Sequence, residues 1–307
     1  MSLSLSRKLT LTDINHPAEL ALHKYLGRVV NGKAGFSKET AIQISRDIQD
    51  AVLRQFGRGK RDQFRLRMSN VGRPYCQLWF DKNKPEAALP KPTTFVMNML
   101  LGDIIEAIFK GLLKEAEVKY IDSEKVTLRT KNAEIDGTFD LVIDGAVDDV
   151  KSASDWSYKN KFASYQVLKD NDAFGYVGQL AGYAKATGQK PGGWWVINKA
   201  NGQFKYVPAD IDLEVEIQKI ENLADKLRAN EFERSYEPQI ETFRGKETGN
   251  KVLCKECTFC DYRYTCWPNV QERPAVKSQA KEPKMVHYVQ LKLFNSRHLI
   301  TCYCPKG

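Results

Sequence analysis

No apolar run in this chain approaches the roughly 20 residues a helix needs to cross a bilayer, so a helical membrane span is not expected. A secretion signal is missing as well, because the apolar positions of MSLSLSRKLTLTDINH are interrupted by Ser, Arg, Lys and Thr. A cytoplasmic protein with no membrane partner is the expectation. There is no acidic excess: 47 Lys and Arg against 38 Asp and Glu leave a formal net charge of +9. That balance favours a polyanionic partner, nucleic acid first, over an ordinary basic protein without one. No internal repeat and no helicase motif are found. Seven cysteines without a secretion signal argue against a disulfide scaffold, and four of them fall within residues 254–266, which points to a metal site. The 307 residues, 42% hydrophobic and 28% charged, suffice for one large domain or two modest ones.

Helices are predicted across PAELALHKYLGRVV and across KETAIQISRDIQDAVLRQF, the second with Ser37 as N-cap, Ile44, Ile48 and Val52 on one stripe, and Gly57 and Gly59 as the stop. The stretch after it, with Arg58, Lys60, Arg61, Arg65, Arg67 and interleaved Phe, reads as a phosphate-tracking segment or as a solvated basic face. A proline-punctuated loop leads to TTFVMNMLLGDIIEAIFKGLLKEAE, capped by Thr93 or Thr94. Its apolar positions run almost all round, so a largely buried helix is expected. Gly102 and Glu106 stand four apart on one of its faces.

AEIDGTFDLVIDGAVDDVKSAS reads as a β-hairpin around Asp144-Gly145. A two-residue turn pairs Ile143 with Ala146 and sets Asp140 across from Asp149. Alternation then puts Asp140, Val142, Val147, Asp149 and Lys151 on one face. Phe139, Leu141, Ile143, Ala146 and Val150 fall on the other, expected to be the core side, where Asp148 must sit near an edge. Opposed aspartates repel by some tenths of a kcal/mol or more. A divalent cation would turn that repulsion into attraction, and an adjacent lysine completes a group suited to phosphodiester hydrolysis. VTLRT is expected to extend the hairpin to at least three antiparallel strands. FGYVGQLAGYAKATG follows as a helix ended by Gly188, with Gln179 and Tyr183 sharing a face. A second hairpin turns at Asn201-Gly202, an amphipathic helix carries Ile217, Ile220, Leu223 and Leu227, and EPQIETFRGKETGNKVL reads as a linker. Residues 269–307 are a basic tail that is disordered or adds a strand. In CKECTFCDYRYTCWP, Cys254, Cys257, Cys260 and Cys266 suit zinc or an iron–sulfur cluster, and local spacing does not discriminate them.

GDIIE, GTFD, DVK and QLAGY, in that order, resemble the RecB-type branch of the PD-(D/E)xK nuclease superfamily over about residues 70–268. The isolated Cys76 in RPYCQLWF and the C-x2-C-x5-C of Cys257, Cys260 and Cys266 resemble the iron–sulfur members, such as the CRISPR-adaptation exonucleases and the AddB nuclease domain. The resemblance implies an α/β (α+β) fold with a restriction-endonuclease-like core, a mixed central sheet flanked by helices. It implies a helical, basic region over 1–92, a nuclease core over 93–235, a cysteine segment over 236–268 and the tail. It further implies Mg²⁺ or Mn²⁺ on Glu106, Asp140, Asp149 and the Val150 carbonyl, with Lys151, Gln179 and Tyr183 as further catalytic residues. A 4Fe–4S cluster would sit on Cys76, Cys257, Cys260 and Cys266, with Cys254 surplus, which leaves Zn²⁺ on the local four cysteines as the alternative. Glu106 stands where many relatives have histidine, and Asp149 where glutamate is frequent. The implied activity is a metal-dependent exonuclease on single-stranded DNA ends, of the kind used in DNA repair, recombination, phage replication or CRISPR adaptation. The competing readings are a non-catalytic DNA-binding or recombination scaffold with a structural zinc, and a redox or zinc-binding regulatory module.

Overall fold

The computed structural model describes residues 14–57, 63–275 and 278–291. Among them, those up to Asn83 and from Pro90 to Phe232 form one compact unit, and Lys84–Leu89 and those from Glu233 onward form a second. The helical region before residue 84 therefore belongs with the core, and the cysteine segment belongs with the described part of the tail.

In the first unit, helices α1 (Pro17–Val30), α2 (Lys38–Phe56) and α3 (Tyr75–Asn83) precede α4 (Thr94–Glu115). Ser37 caps α2 by accepting from the Thr40 N–H, as its sequence predicts. Strands β1 (Ile121–Asp122), β2 (Lys125–Arg129), β3 (Glu134–Thr138), β4 (Leu141–Ile143) and β5 (Ala146–Ala153) come next. After α5 (Tyr165–Asp170) and α6 (Tyr176–Thr187) run β6 (Lys190–Asn198), β7 (Phe204–Pro208) and α7 (Leu213–Ala229). The five-stranded sheet has the order β1-β4-β5-β6-β7. Only β5 and β6 are parallel, as a connection long enough to hold two helices permits. The fold is α+β, a mixed central sheet flanked by helices. VTLRT does not extend the hairpin: as β2 it pairs with β3 in a separate two-stranded sheet.

The hairpin register is the one its turn dictates. Asp144 and Gly145 both have positive φ, 49° and 76°, which matches strand twist in a two-residue connection. Ile143 pairs with Ala146 and Leu141 with Asp148. The assignment of faces needs two corrections, because β5 is central and both faces of the sheet are buried. Val142, Val147 and Trp194 pack in one cluster, while Leu141, Ile143, Val150 and Trp195 pack in another with α1 and α4 side chains. Phe139 lies between β3 and β4, outside the alternation, and joins the Val142 cluster. Asp148 is not near an edge. It is 1% exposed and accepts from Tyr206 Oη at 2.8 Å and Trp195 Nε1 at 3.0 Å. A shift in the β5–β6 register puts Gly192 beside it, where any Cβ would lie 2.1 Å from Asp148 Oδ1. The missing side chain makes the room.

Helix α4 is also less buried than its composition implies. Phe95, Met97, Met99 and Leu101 are exposed, whereas Leu100, Ala107, Phe109 and Leu113 are buried. The C-terminal half packs closely on α2: a Cβ on Gly111 would lie 2.5 Å from Ile44 Cδ1.

In the second unit the expected linker is a hairpin, β8 (Gln239–Phe243) and β9 (Lys246–Val252), turning at Arg244 and Gly245 with φ of 50° and 76°. Polar side chains hid it, since this hairpin lacks an apolar alternation. The expected tail contributes β10 (Gln271–Pro274) and β11 (Met285–Gln290), and the sheet order is β10-β11-β9-β8. Among the described residues no helix is long and apolar enough to cross a membrane.

Burial pushes the Asp148 carboxyl up to about 7, against the hydrogen bonds from Tyr206 and Trp195. A raised folded-state pKa contributes stability that is complete below the ordinary carboxylate range and is lost as pH rises through about 7. Thermal unfolding between about pH 5 and 8 should show a declining midpoint, and the decline should be shallower in Asp148→Asn. Equal slopes in the two proteins would remove Asp148 as the source.

Candidate metal-binding active site

The polar side chains of the hairpin converge just past the β4–β5 ladder, where Leu141 pairs with Asp148 and the following residues of β5 pair with β6 alone. Asp140 Oδ2 accepts from the Val150 N–H at 2.7 Å, which ties the loop before β4 to the middle of β5. Asp149, 2% exposed, is bound to Lys151, whose Nζ lies 2.7 Å from Oδ1 and 2.6 Å from Oδ2. Only the Oδ1 contact has hydrogen-bond geometry, and Oδ2 is buried without a hydrogen-bond donor.

The electrostatics follow from burial and crowding. Burial, then the Asp149 charge, lifts the Asp140 carboxyl to about 6, with Lys151 and the Val150 N–H opposing. Asp149 is also raised, by burial against the pull of Lys151, with Glu106 adding repulsion. Burial alone would lower the pKa of Lys151, but the charges of Asp149 and Asp140 outweigh it and raise it. This ammonium is held in its charged form.

Glu106 approaches from α4, whose Gly102 lies against Ser152 of β5 one turn earlier. Its carboxyl is raised by burial and by Asp140, and lowered by Lys110. Lys110 Nζ lies 2.9 Å from Glu106, 3.0 Å from Asp122 and 3.2 Å from Ser123 Oγ. Asp103 lines the same cavity as Glu106 and Lys110 but is paired with Arg54 at 3.0 Å. From α6, Tyr183 is 3% exposed and pushed up to about 12 by burial, with a hydrogen bond to Gln179 opposing and the Asp140 and Asp149 charges adding. Glu106, Asp140, Asp149, Lys151 and Tyr183 are thus electrostatic neighbours, and Gln179 is attached through Tyr183. Val150 contributes its N–H to Asp140, and its side chain packs in the core.

Two contributors escaped the sequence reading. Tyr176 has Lys151 Nζ 5.1 Å from its ring centroid. It stands three and seven residues before Gln179 and Tyr183, the spacing of one helix face, and that stripe was the available signal. Lys110, four residues after Glu106, was legible in the same way. In the basic stretch, Arg58, Lys60 and Arg61 lie outside the described residues, while Arg65 and Arg67 are exposed.

Among the described residues no group of three or more His, Cys, Asp or Glu side chains is already gathered as a metal-binding set. The chemistry of the donors nevertheless suits a hard cation. Three carboxylates crowd together, Asp140 raising Glu106, Asp149 raising Asp140 and Glu106 raising Asp149, and the buried Asp149 Oδ2 is met by the Lys151 ammonium without a hydrogen bond. Oxygen-rich sets of this kind suit Mg²⁺ or Mn²⁺.

Cys76 is buried in α3 of the first unit. In the second unit Cys254 and Cys257 are buried around a short helix, α8 (Lys255–Thr258), Cys260 is half-buried and Cys266 is buried at the end of α9 (Arg263–Cys266). A hydrogen bond with Cys257 holds the Cys254 thiol below its ordinary pKa. Arg234 stacks over Trp267 at 4.2 Å and donates to the Cys266 carbonyl at 2.8 Å.

No family model and no curated protein matches the sequence. A solved structure titled "Crystal structure of SSO0001" is similar at a TM-score of 0.40 and 11% identity, covering 75% of this chain and 96% of that one.

Gly137, in the GTFD motif, is required by packing. A Cβ there would lie 2.4 Å from Met68 Cβ and 2.7 Å from the Tyr183 ring. Gly137→Ala should cost about 1–3 kcal/mol in urea denaturation. An unchanged midpoint would show that Tyr183 is not held as described.

Proposed function

We propose that this protein is a divalent-metal-dependent deoxyribonuclease of the PD-(D/E)xK type, with a restriction-endonuclease-like core, acting as an exonuclease on single-stranded DNA ends. The observation that carries this reading is the buried Asp140–Asp149 pair, ion-paired to Lys151 and faced by Glu106. Burying like charges side by side costs stability, so the pair makes sense as a cation site. Mg²⁺ or Mn²⁺ held by Glu106, Asp140, Asp149 and the Val150 carbonyl would activate water and neutralise phosphate charge.

The chain's own residues divide the remaining work. Lys151 keeps its proton because two carboxylates raise its pKa. It serves as a donor to the charge that develops on the phosphate rather than as the base. Tyr176 and Tyr183 fix the ammonium and the carboxylates from the α6 side. Lys110 sets the charge of Glu106, where histidine would be neutral. The formal net charge of +9 suits a DNA partner.

For the cysteines, the resemblance supports a 4Fe–4S cluster on Cys76, Cys257, Cys260 and Cys266. The Cys254–Cys257 hydrogen bond favours the second reading, zinc on the local four thiols. Anaerobically purified protein should be brown under the first reading, and colourless with stoichiometric zinc under the second.

Lys151→Ala and Asp149→Ala should fold yet degrade a labelled single-stranded DNA at least about 10²-fold more slowly in Mn²⁺. Full activity in both would sink the site assignment. A mobility shift without metal-dependent cleavage by the wild type would favour the scaffold reading.

A further inference from the structure

A chain of alternating lysines and rings leads away from the hairpin toward solvent. Lys151 Nζ lies 5.1 Å from the Tyr176 centroid. On the same ring Lys161 Nζ lies at 4.1 Å, and it lies 4.4 Å from the Phe174 centroid. The Phe174 and Tyr176 rings are 5.8 Å apart and within 16° of parallel. Phe162, buried, stacks beneath Tyr176 at 6.0 Å and 19°. The ladder runs from a buried ring through a half-buried one to Phe174, which is 57% exposed.

The local backbone accounts for the placement. Lys161 ends a π-helical turn (Ser157–Lys161) that follows β5. Phe174 precedes the Gly175 cap of α6, whose φ of 78° requires glycine. Asp172 fixes that end by accepting from the Tyr176 and Val177 N–H groups at 2.9 and 2.8 Å.

An exposed ring gains nothing from solvent, and Phe174 does not close the core. What it offers is a flat apolar face backed by an ammonium, continuous with the lysine of the active site. Polyanionic strands with accessible base faces match both features: the cations suit phosphates, and the ring suits an unpaired base. Duplex bases are already stacked on one another and present no free face. We infer that Phe174, with Lys161 and Tyr176 behind it, is a base-stacking subsite that receives an unpaired nucleotide of single-stranded DNA next to the scissile phosphate. The inference rests on the nuclease reading for its position and deepens it, since the strand is then gripped by its bases as well as its phosphates.

The test compares two 5′-labelled oligonucleotides of equal length by fluorescence anisotropy, oligo-dT and the same backbone with abasic positions, in EDTA and in Ca²⁺. Wild type should bind oligo-dT about 10-fold more tightly than the abasic strand. Phe174→Ala should lose that preference while binding the abasic strand as wild type does, and Phe174→Trp should keep it. A wild type that binds neither strand or shows no preference in either buffer, or a Phe174→Ala protein that retains the preference, overturns the subsite. Cleavage is scored separately in Mn²⁺. A base preference lost in Phe174→Ala without any wild-type cleavage upholds the subsite and sinks the nuclease reading. Cleavage with an unchanged preference does the reverse.

Discussion

Two carboxylates buried side by side are the constraint on which the rest of the first unit depends. Asp140 and Asp149 cannot both be charged in a dry site without a cation: burial raises the proton affinity of both, the Asp149 charge adds to that of Asp140, and Glu106 adds to that of Asp149. The chain supplies one cation covalently, Lys151, and one oriented dipole, the Val150 N–H. Neighbouring residues keep these two in place. Tyr176 faces the ammonium, Tyr183 stands against Gly137, and Glu106 arrives on a helix that lies against β5. The same cluster of charge would be ruinous in a core without a purpose for it, because each unpaired buried charge costs several kcal/mol.

The sheet makes this arrangement possible by being buried on both faces. Trp194 and Trp195, adjacent in β6 and both fully buried, fill opposite sides, and burying each large apolar side chain stabilises by roughly 1.5–3 kcal/mol. Such a core can carry polar residues in the same strands if each finds partners. Asp148 finds Tyr206 and Trp195, and Asp149 finds Lys151. Small residues set the spacing: Gly192 admits Asp148, Gly137 admits Tyr183, and Gly111 lets α2 approach α4.

What the sequence made legible was local. The Asp144-Gly145 turn fixed a register that places Asp140, Asp149 and Lys151 together, and period-four patterns delimited α2, α6 and α7. What escaped depended on tertiary surroundings. Alternation assigns two faces but does not say that both are covered, so Asp148 was expected at an edge. Phe139 was placed by a strand period that does not apply between two strands. The β8–β9 hairpin carries polar residues on both faces and gives no periodic signal. Tyr176 meets Lys151 only because α6 packs on β5, and Lys161 reaches the same ring from the turn after β5. Lys110 and Tyr176 were within reach of helix spacing, but a lysine or a tyrosine on a helix face acquires meaning only once the carboxylates are known to lie opposite.

The most direct measurement is calorimetric titration of Mn²⁺ into the metal-free protein near pH 6, in buffers of different ionisation enthalpy. Carboxyls whose proton affinity is raised by one another must release protons when a cation binds between them. Wild type should therefore bind Mn²⁺ with net proton release, and Asp149→Asn should lose both the binding and the release. Absence of Mn²⁺ binding by the wild type, or binding that survives in Asp149→Asn with the same proton release, would contradict the assignment of the buried pair as a cation site.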